Sequence, residues 1–204
     1  MIVECFPCGP LSTNGYLLGC TETKKAAIID APLGIWNEAA NCIRKNSLIV
    51  DTLLLTHSHW DHILDAALCK KNGLTVWVHP NDAGNVIRPG SDKLPMFTSW
   101  EKVESIEHLS DYQKIFIGNL EVRVIYTPGH SPGCVCFYLE KQNALFSGDT
   151  LFQGSMGRVD LPTGNPLEMR NSLRKLSALP KNTKVFPGHG PETTIGAEDW
   201  LLEA

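Results

Sequence analysis

The segment THSHWDH, residues 56–62, packs three histidines and an aspartate into seven positions. Imidazole and carboxylate together suit zinc, iron or manganese, and the absence of thiolate within the motif argues against a closed structural zinc site. His57, His59, Asp61 and His62 follow one another at intervals of two, two and one. A regular helix or strand cannot aim that pattern into one cavity, whereas a turn at a strand end can.

Three further segments share one form: an apolar strand-like run, a tight glycine turn and a ligand-type residue. They are YTPGH ending at His130, LFSGD ending at Asp149 and VFPGH ending at His189. Five of the seven histidines fall in these four turns. Glycine in the turns lets the backbone bend sharply and the strand ends crowd together. The resulting seven side chains are too many for one zinc, which takes about four. They match two metals sharing a carboxylate, a pair that polarises a substrate oxygen and generates hydroxide near neutral pH.

Such turns need strands to carry them. DTLLLT (51–56) is an apolar run of the interior-strand kind, and YLLGC (16–20), AAIID (26–30) and TVWVH (75–79) read the same way. Strands return at EVRVIYT (121–127), CVCFYL (134–139), NALFSG (143–148) and TKVFPG (183–188). Helices are predicted over 35–46, 63–73, 166–179, where Pro166 suits a first turn, and 195–203. Residues 81–110 lack clean periodicity. Within them RPGSDKLPMFTSW (88–100) reads as a surface loop that either covers the core or closes over the site, with Met96, Phe97 and Trp100 as its apolar members. His79 is expected to be an exposed loop residue, and Trp60 to face either substrate or the neighbouring sheet. Two sheets packed face to face with helices outside would bury all of these runs, in one domain over 1–204.

Composition narrows the partners. With 18 Lys and Arg against 22 Asp and Glu, the net charge of −4 speaks against a nucleic-acid backbone as partner. No apolar run approaches the ~20 residues of a membrane span. The N-terminus lacks the pattern of a secretory signal, so the expected compartment is the cytoplasm. Seven cysteines, odd in number and scattered, fit reduced thiols. Cys5 and Cys8 form a C-x-x-C without a second pair, too weak a signal for a zinc or redox motif.

With its H-x-H-x-D-H followed by a later His, Asp and His, the chain resembles the metallo-β-lactamase superfamily. The resemblance covers nearly its whole length. It implies an α/β fold, an αβ/βα four-layer sandwich of two mixed β-sheets flanked by helices. It makes His57, His59 and His130 ligands of one metal and Asp61, His62 and His189 ligands of a second, with Asp149 bridging. Asp30, in IIDAP, would support the ligands from behind. Zinc is the metal expected first, with iron or manganese as alternatives.

Within the superfamily, SGDTLFQGSMGRVDLPTGN (147–165) and PGHGPETTIG (187–196) resemble the short members of the glyoxalase II group. That resemblance implies a small-molecule thioester substrate such as S-lactoylglutathione, hydrolysed by metal-bound hydroxide that Asp61 orients. Arg158 matches a basic residue of that group and would bind a substrate carboxylate, but Asp160 stands where an aromatic residue is usual. Longer glyoxalase II enzymes add a C-terminal helical domain that helps to bind glutathione. The alternative is a mononuclear iron persulfide dioxygenase, which shares the G-R-x-D loop (157–160) and would use His57, His130 and Asp149. The Leu151–Phe152 continuation after Thr150 and the full set of second-metal residues favour the hydrolase. A periplasmic β-lactamase is disfavoured because no export signal is visible.

Overall fold

Leu17 and Leu18 are neighbours in one strand and both fully buried, yet they belong to different apolar clusters. Strand geometry sends adjacent side chains to opposite faces, so a strand buried on both sides must lie between two layers. Leu53 and Leu54 repeat the pattern. In the computed structural model, which describes residues 1–95 and 98–202, this doubling generates four layers.

The first sheet is six-stranded, in the order β1 (Ile2–Cys8), β2 (Thr13–Gly19), β3 (Lys25–Ile29), β4 (Ile49–Leu54), β5 (Thr75–Val78) and β6 (Glu107–His108). Its first three strands pair antiparallel, and β3 to β6 run parallel. The second sheet comprises β7 (Lys114–Ile117), β8 (Leu120–Tyr126), β9 (Val135–Leu139), β10 (Ala144–Gly148), β11 (Lys184–Pro187) and β12 (Thr193–Thr194). Here only β10 and β11 are parallel. The two mixed sheets face each other through Tyr16, Leu18, Ile29 and Leu54 on one side and Val122, Val124, Phe137 and Phe146 on the other.

Helices α1 (Ile35–Asn46), α2 (Trp60–Ile63), α3 (Ala66–Lys71) and α4 (Pro80–Ile87) cover the outer face of the first sheet, and α5 (Pro166–Ser177) covers the second. α5 starts as its sequence predicts. Asn165 accepts the N–H groups of Leu167 and Glu168, and Pro166 fills the first turn.

Four expectations change. Residues 80–87 form α4 within the stretch that showed no periodicity; its inward face carries Asp82 and Asn85 beside Ala83 and Val86, which hides the apolar stripe. His79 is not an exposed loop residue but caps this helix, accepting the N–H of Asn81 and stacking on Tyr126. The helix expected over 63–73 is broken into α2 and α3. At the break, the backbone of Ala31 bonds to His62 and Asp65, and the Asp65 carboxylate accepts the Gly34 N–H. Over 195–203 the described residues form two 3-10 turns, Ile195–Ala197 and Asp199–Leu202, rather than one helix.

Cys5 and Cys8 both lie inside β1. A spacing of three puts them on opposite faces, and one is exposed and the other buried. Among the described residues, no helix is long and apolar enough to cross a membrane.

Candidate metal centre

Parallel strands end at the same edge of a sheet, and this fold uses that edge twice. β3 and β4 run parallel and deliver Asp30 and the 56–62 turn together. β10 and β11 run parallel and deliver Asp149 and His189. β8, antiparallel to β9 as β9 is to β10, points the same way as β10 and brings His130 to that edge. Backbone bonds then stitch the edges of the two sheets, from Val135 N–H to the Thr56 carbonyl (2.9 Å) and from Asn14 N–H to the Gly188 carbonyl (2.8 Å).

The structure brings all seven predicted ligand-type side chains together. His57, His59 and His130 form one group with ligand atoms within 4.8 Å of one another; Asp61, His62 and His189 form another, and His57, His62 and Asp149 a third that overlaps both. Asp149 lies between the halves. Its Oδ2 is 3.3 Å from His130 Nε2 and 3.6 Å from His189 Nε2, and its Oδ1 is 3.3 Å from His62 Nε2. Six of the seven residues are buried, and His189 is half-buried.

Crowding of this kind requires small residues behind it. A Cβ on Gly188 would lie 2.2 Å from Asp149 Oδ1 and 2.8 Å from the His62 ring. Gly148, at φ +49, leaves no room for a Cβ beside Thr56.

The far side of each ring fixes its orientation. His62 Nδ1 donates to Asp30 Oδ2 (2.8 Å), whose two oxygens also accept the Thr56 N–H and hydroxyl. His57 Nδ1 lies 3.1 Å from that same hydroxyl. His130 Nδ1 donates to the carbonyl of Arg158 (2.8 Å). With Nδ1 carrying the proton in these three rings, Nε2 turns its lone pair into the cluster. Asp30 thus has the supporting position expected of it.

Sequence reasoning missed three supports. Thr13 donates to Asp61 Oδ2 (2.7 Å). Asn14 and Tyr16 donate to the Pro187 carbonyl and hold the His189 turn. Asp82, buried on α4, accepts the N–H of Ser58 (2.8 Å), the hydroxyl of Ser131 (2.8 Å) and the N–H of Gly133 (2.7 Å). It therefore ties the turn holding His57 and His59 to the turn holding His130. A polar residue inside an otherwise buried strand, as at Thr13 and Asn14, is the signal that was available.

Electrostatics match a cation site. Burial, then the neighbouring imidazoles, push His57 well below its ordinary pKa, and burial with His130 takes His59 down to about 3. Burial opposes the charge on His62 as well, but Asp61, Asp149 and Asp30 together hold its pKa well above the usual value. Asp149 resists the upward push of burial and falls to about 2, chiefly because of His62. The fit to a metal rests on unpaired ligand atoms. His57 Nε2 and Asp149 Oδ1 are buried without a hydrogen-bond partner, which is costly unless a cation is to satisfy them.

The cluster floors a cavity of about 990 Å3. Trp60 lines it, as do Leu94, Pro95 and Thr98 from the loop 88–100; Met96 and Phe97, expected in the same loop, lie outside the described residues. Arg158 also lines it, with its guanidinium bonded to Asp160.

A cluster of histidine and aspartate at the common edge of two facing sheets makes a candidate metal centre of this sandwich architecture. The chain belongs to the metallo-beta-lactamase superfamily, whose family model matches residues 8–189. It is 34% identical over 197 residues to the probable metallo-hydrolase YqgX of Bacillus subtilis, covering 94% of this chain and 92% of that protein. It is 32% identical over 190 residues to hydroxyacylglutathione hydrolase of Bartonella henselae, covering 93% of this chain and 67% of that one. Among solved structures it is similar to the B3 metallo-beta-lactamase BLEG-1, with a TM-score of 0.86 and 35% identity over 96% of this chain and 95% of that one. It is also similar to TTHA1623 in a di-iron-bound form, with a TM-score of 0.79 and 33% identity over 97% of this chain and 96% of that one.

Proposed function

We propose that the chain is a binuclear metal-dependent hydrolase that cleaves thioesters of the S-lactoylglutathione type. The observation that carries the reading is the convergence of seven ligand-type side chains, with His57 Nε2 and Asp149 Oδ1 unpaired, on the floor of an open cavity. His57, His59 and His130 would hold one cation and Asp61, His62 and His189 the other, with Asp149 shared. Zinc suits this donor set first, and the di-iron form of TTHA1623 makes iron the alternative. Two such cations supply hydroxide near neutral pH and polarise the substrate carbonyl.

The protein's own part is positional. Asp61, held through Oδ2 by Thr13, orients the attacking water. Asp30 and the Arg158 carbonyl keep the His62 and His130 rings from turning. Water oxygen bonds to the acyl carbon, the C–S bond breaks, and the sulfur leaves with the electron pair; of the two water protons one goes to the sulfur and one to solvent, giving a carboxylate and a thiol. A thiol of pKa about 8.5 leaves without a strong general acid. The similarity to hydroxyacylglutathione hydrolase supports the choice of a thioester.

Metal analysis of the purified protein, paired with S-lactoylglutathione hydrolysis, tests the proposal. About two metals per chain with thioester turnover is the expected result. One iron per chain, no hydrolysis and oxygen uptake with glutathione persulfide would replace it with a dioxygenase. Cleavage of nitrocefin without cleavage of the thioester would make the substrate a β-lactam.

A further inference from the structure

Above the metal centre, the cavity changes character. Leu11, Trp60, Leu94, Phe152, Met156 and Leu161 form most of its wall. Leu11 and Met156 stand at its mouth with 53% and 40% of their surface exposed. Apolar side chains left open to water beside a deep cavity mark a surface that gains by being covered. Apart from Arg158, the polar groups on the wall among the described residues are few and neutral, namely Ser155 and Thr98.

One cation lies on this wall among the described residues, apart from the histidines of the floor. Arg158 donates from Nε to Asp160 Oδ1 (2.7 Å) and from Nη2 to Asp160 Oδ2 (2.8 Å). This two-toothed pairing occupies the Nε/Nη2 edge of the guanidinium and neutralises its charge, leaving only the Nη1/Nη2 edge for any further carboxylate. Side-chain exposure is 63% for Arg158 and 68% for Asp160. The pair is held by its spacing of two residues rather than by burial. An arriving carboxylate meets a pair of zero net charge and the repulsion of Asp160. Arg88 offers no substitute, because it lines a separate pocket of about 280 Å3 together with Asp82 and Asp92.

We propose that the cavity takes thioesters whose flanking groups are uncharged and apolar, in preference to the two-carboxylate carrier glutathione, and that Asp160 sets this preference by neutralising Arg158. The inference rests on the hydrolase reading for its reaction and on the wall alone for its selectivity. Wall and floor are therefore tested separately.

The probes are N-acetyl-S-lactoylglutathione and its diethyl ester, which share the scissile bond and the peptide carrier, lack the ammonium group, and differ in the two carboxylates. Beside them stand N-acetyl-S-hexylglutathione and its diethyl ester, thioethers that bind without being cleaved. Calorimetry on the metal-loaded protein is expected to show the hexyl diester binding about tenfold more tightly than the free acid, and kcat/KM for the two thioesters to follow the same order. Asp160→Asn, which frees the guanidinium, is expected to narrow the binding ratio about threefold by strengthening the acid alone. Arg158→Ala is expected to leave the ratio where it was, since that arginine does not anchor the acid.

Equal or tighter binding of the free acid would overturn the proposal. So would a ratio unmoved by Asp160→Asn, or a selective loss of the acid in Arg158→Ala. If neither thioester is cleaved by the two-metal protein, the hydrolase reading fails while the thioether ratio still decides what the wall selects.

Discussion

At the floor of the cavity, six of seven ligand-type side chains are buried, and supporting groups behind them fix His57, Asp61, His62 and His130. At the rim, Leu11 and Met156 face water, and Arg158 leans on a residue of its own loop. The floor is assembled from the ends of both sheets, where backbone positions are set by the strand ladders. The rim is assembled from the connections: the β1–β2 loop, the 88–100 loop and the stretch after β10. A constellation on rigid strand ends keeps its geometry whatever the connections do. On the proposed reading, the floor sets the reaction type and the rim sets the choice of substrate.

The strongest way to break that division is at the floor. Asp61→Ala or His59→Ala is expected to lower kcat/KM by more than about a thousandfold while circular dichroism shows an intact fold. Near-normal turnover in either variant would remove these residues from the mechanism. One step back, Asp30→Asn keeps the shape but weakens the acceptor that orients His62 and Thr56. Chelator competition is expected to show metal affinity reduced about 30-fold, and an unchanged affinity would make Asp30 merely structural.

Asp82 supports the floor without touching it. In Asp82→Ala, three buried donors from two ligand-bearing turns lose their acceptor, and the melting temperature is expected to fall by about 9 °C. A change under a third of that would mean that the turns hold themselves.

The smallest effect belongs to the rim. Glu198 accepts the Gly154 N–H and the Trp200 indole N–H (both 2.7 Å) and the Thr193 hydroxyl, and so pins the turn that carries Phe152 and Ser155 along the cavity wall. Burial alone would raise its pKa, but these three donors lower it. With the folded value below the unfolded one, its contribution is present above the unfolded pKa of about 4.3 and is lost as pH falls through the folded pKa. Glu198→Gln is therefore expected to lower the melting temperature by about 3 °C at pH 7, with the difference shrinking below pH 4. A difference that persisted in acid would assign the effect to packing.

The floor was legible in the sequence because a metal demands particular atoms. Only a few side chains supply them, and the 56–62 turn collects four within reach of one another. The strands carrying the other ligands were also visible, as short apolar runs ending in glycine. What stayed hidden depends on contacts between distant residues. Thr13 gains its role from Asp61, 48 positions away, and Asp82 gains part of its role from Gly133, 51 positions away. α4 was masked because two of its inward side chains are polar and serve the ligand turns rather than an apolar core. Strand β7, at the sheet edge, turns Ile115 and Ile117 to the core, but apolar Phe116 on its exposed face hides the alternation that would mark it in the sequence.

The wide scatter of the ligands along the chain also has a kinetic consequence. His62 and His189 converge although 127 positions separate them, and Asn14 reaches across 176 positions to the Gly190 carbonyl. Closing loops of that length is slow and comes late in folding. A nascent chain that has left the ribosome only as far as Asp149 holds six of the seven ligand-type residues but lacks His189 and the β11 strand that delivers it. On the binuclear reading, capture of the second cation would therefore wait on β11, and the cation, once bound, would act as a latch on an otherwise finished molecule.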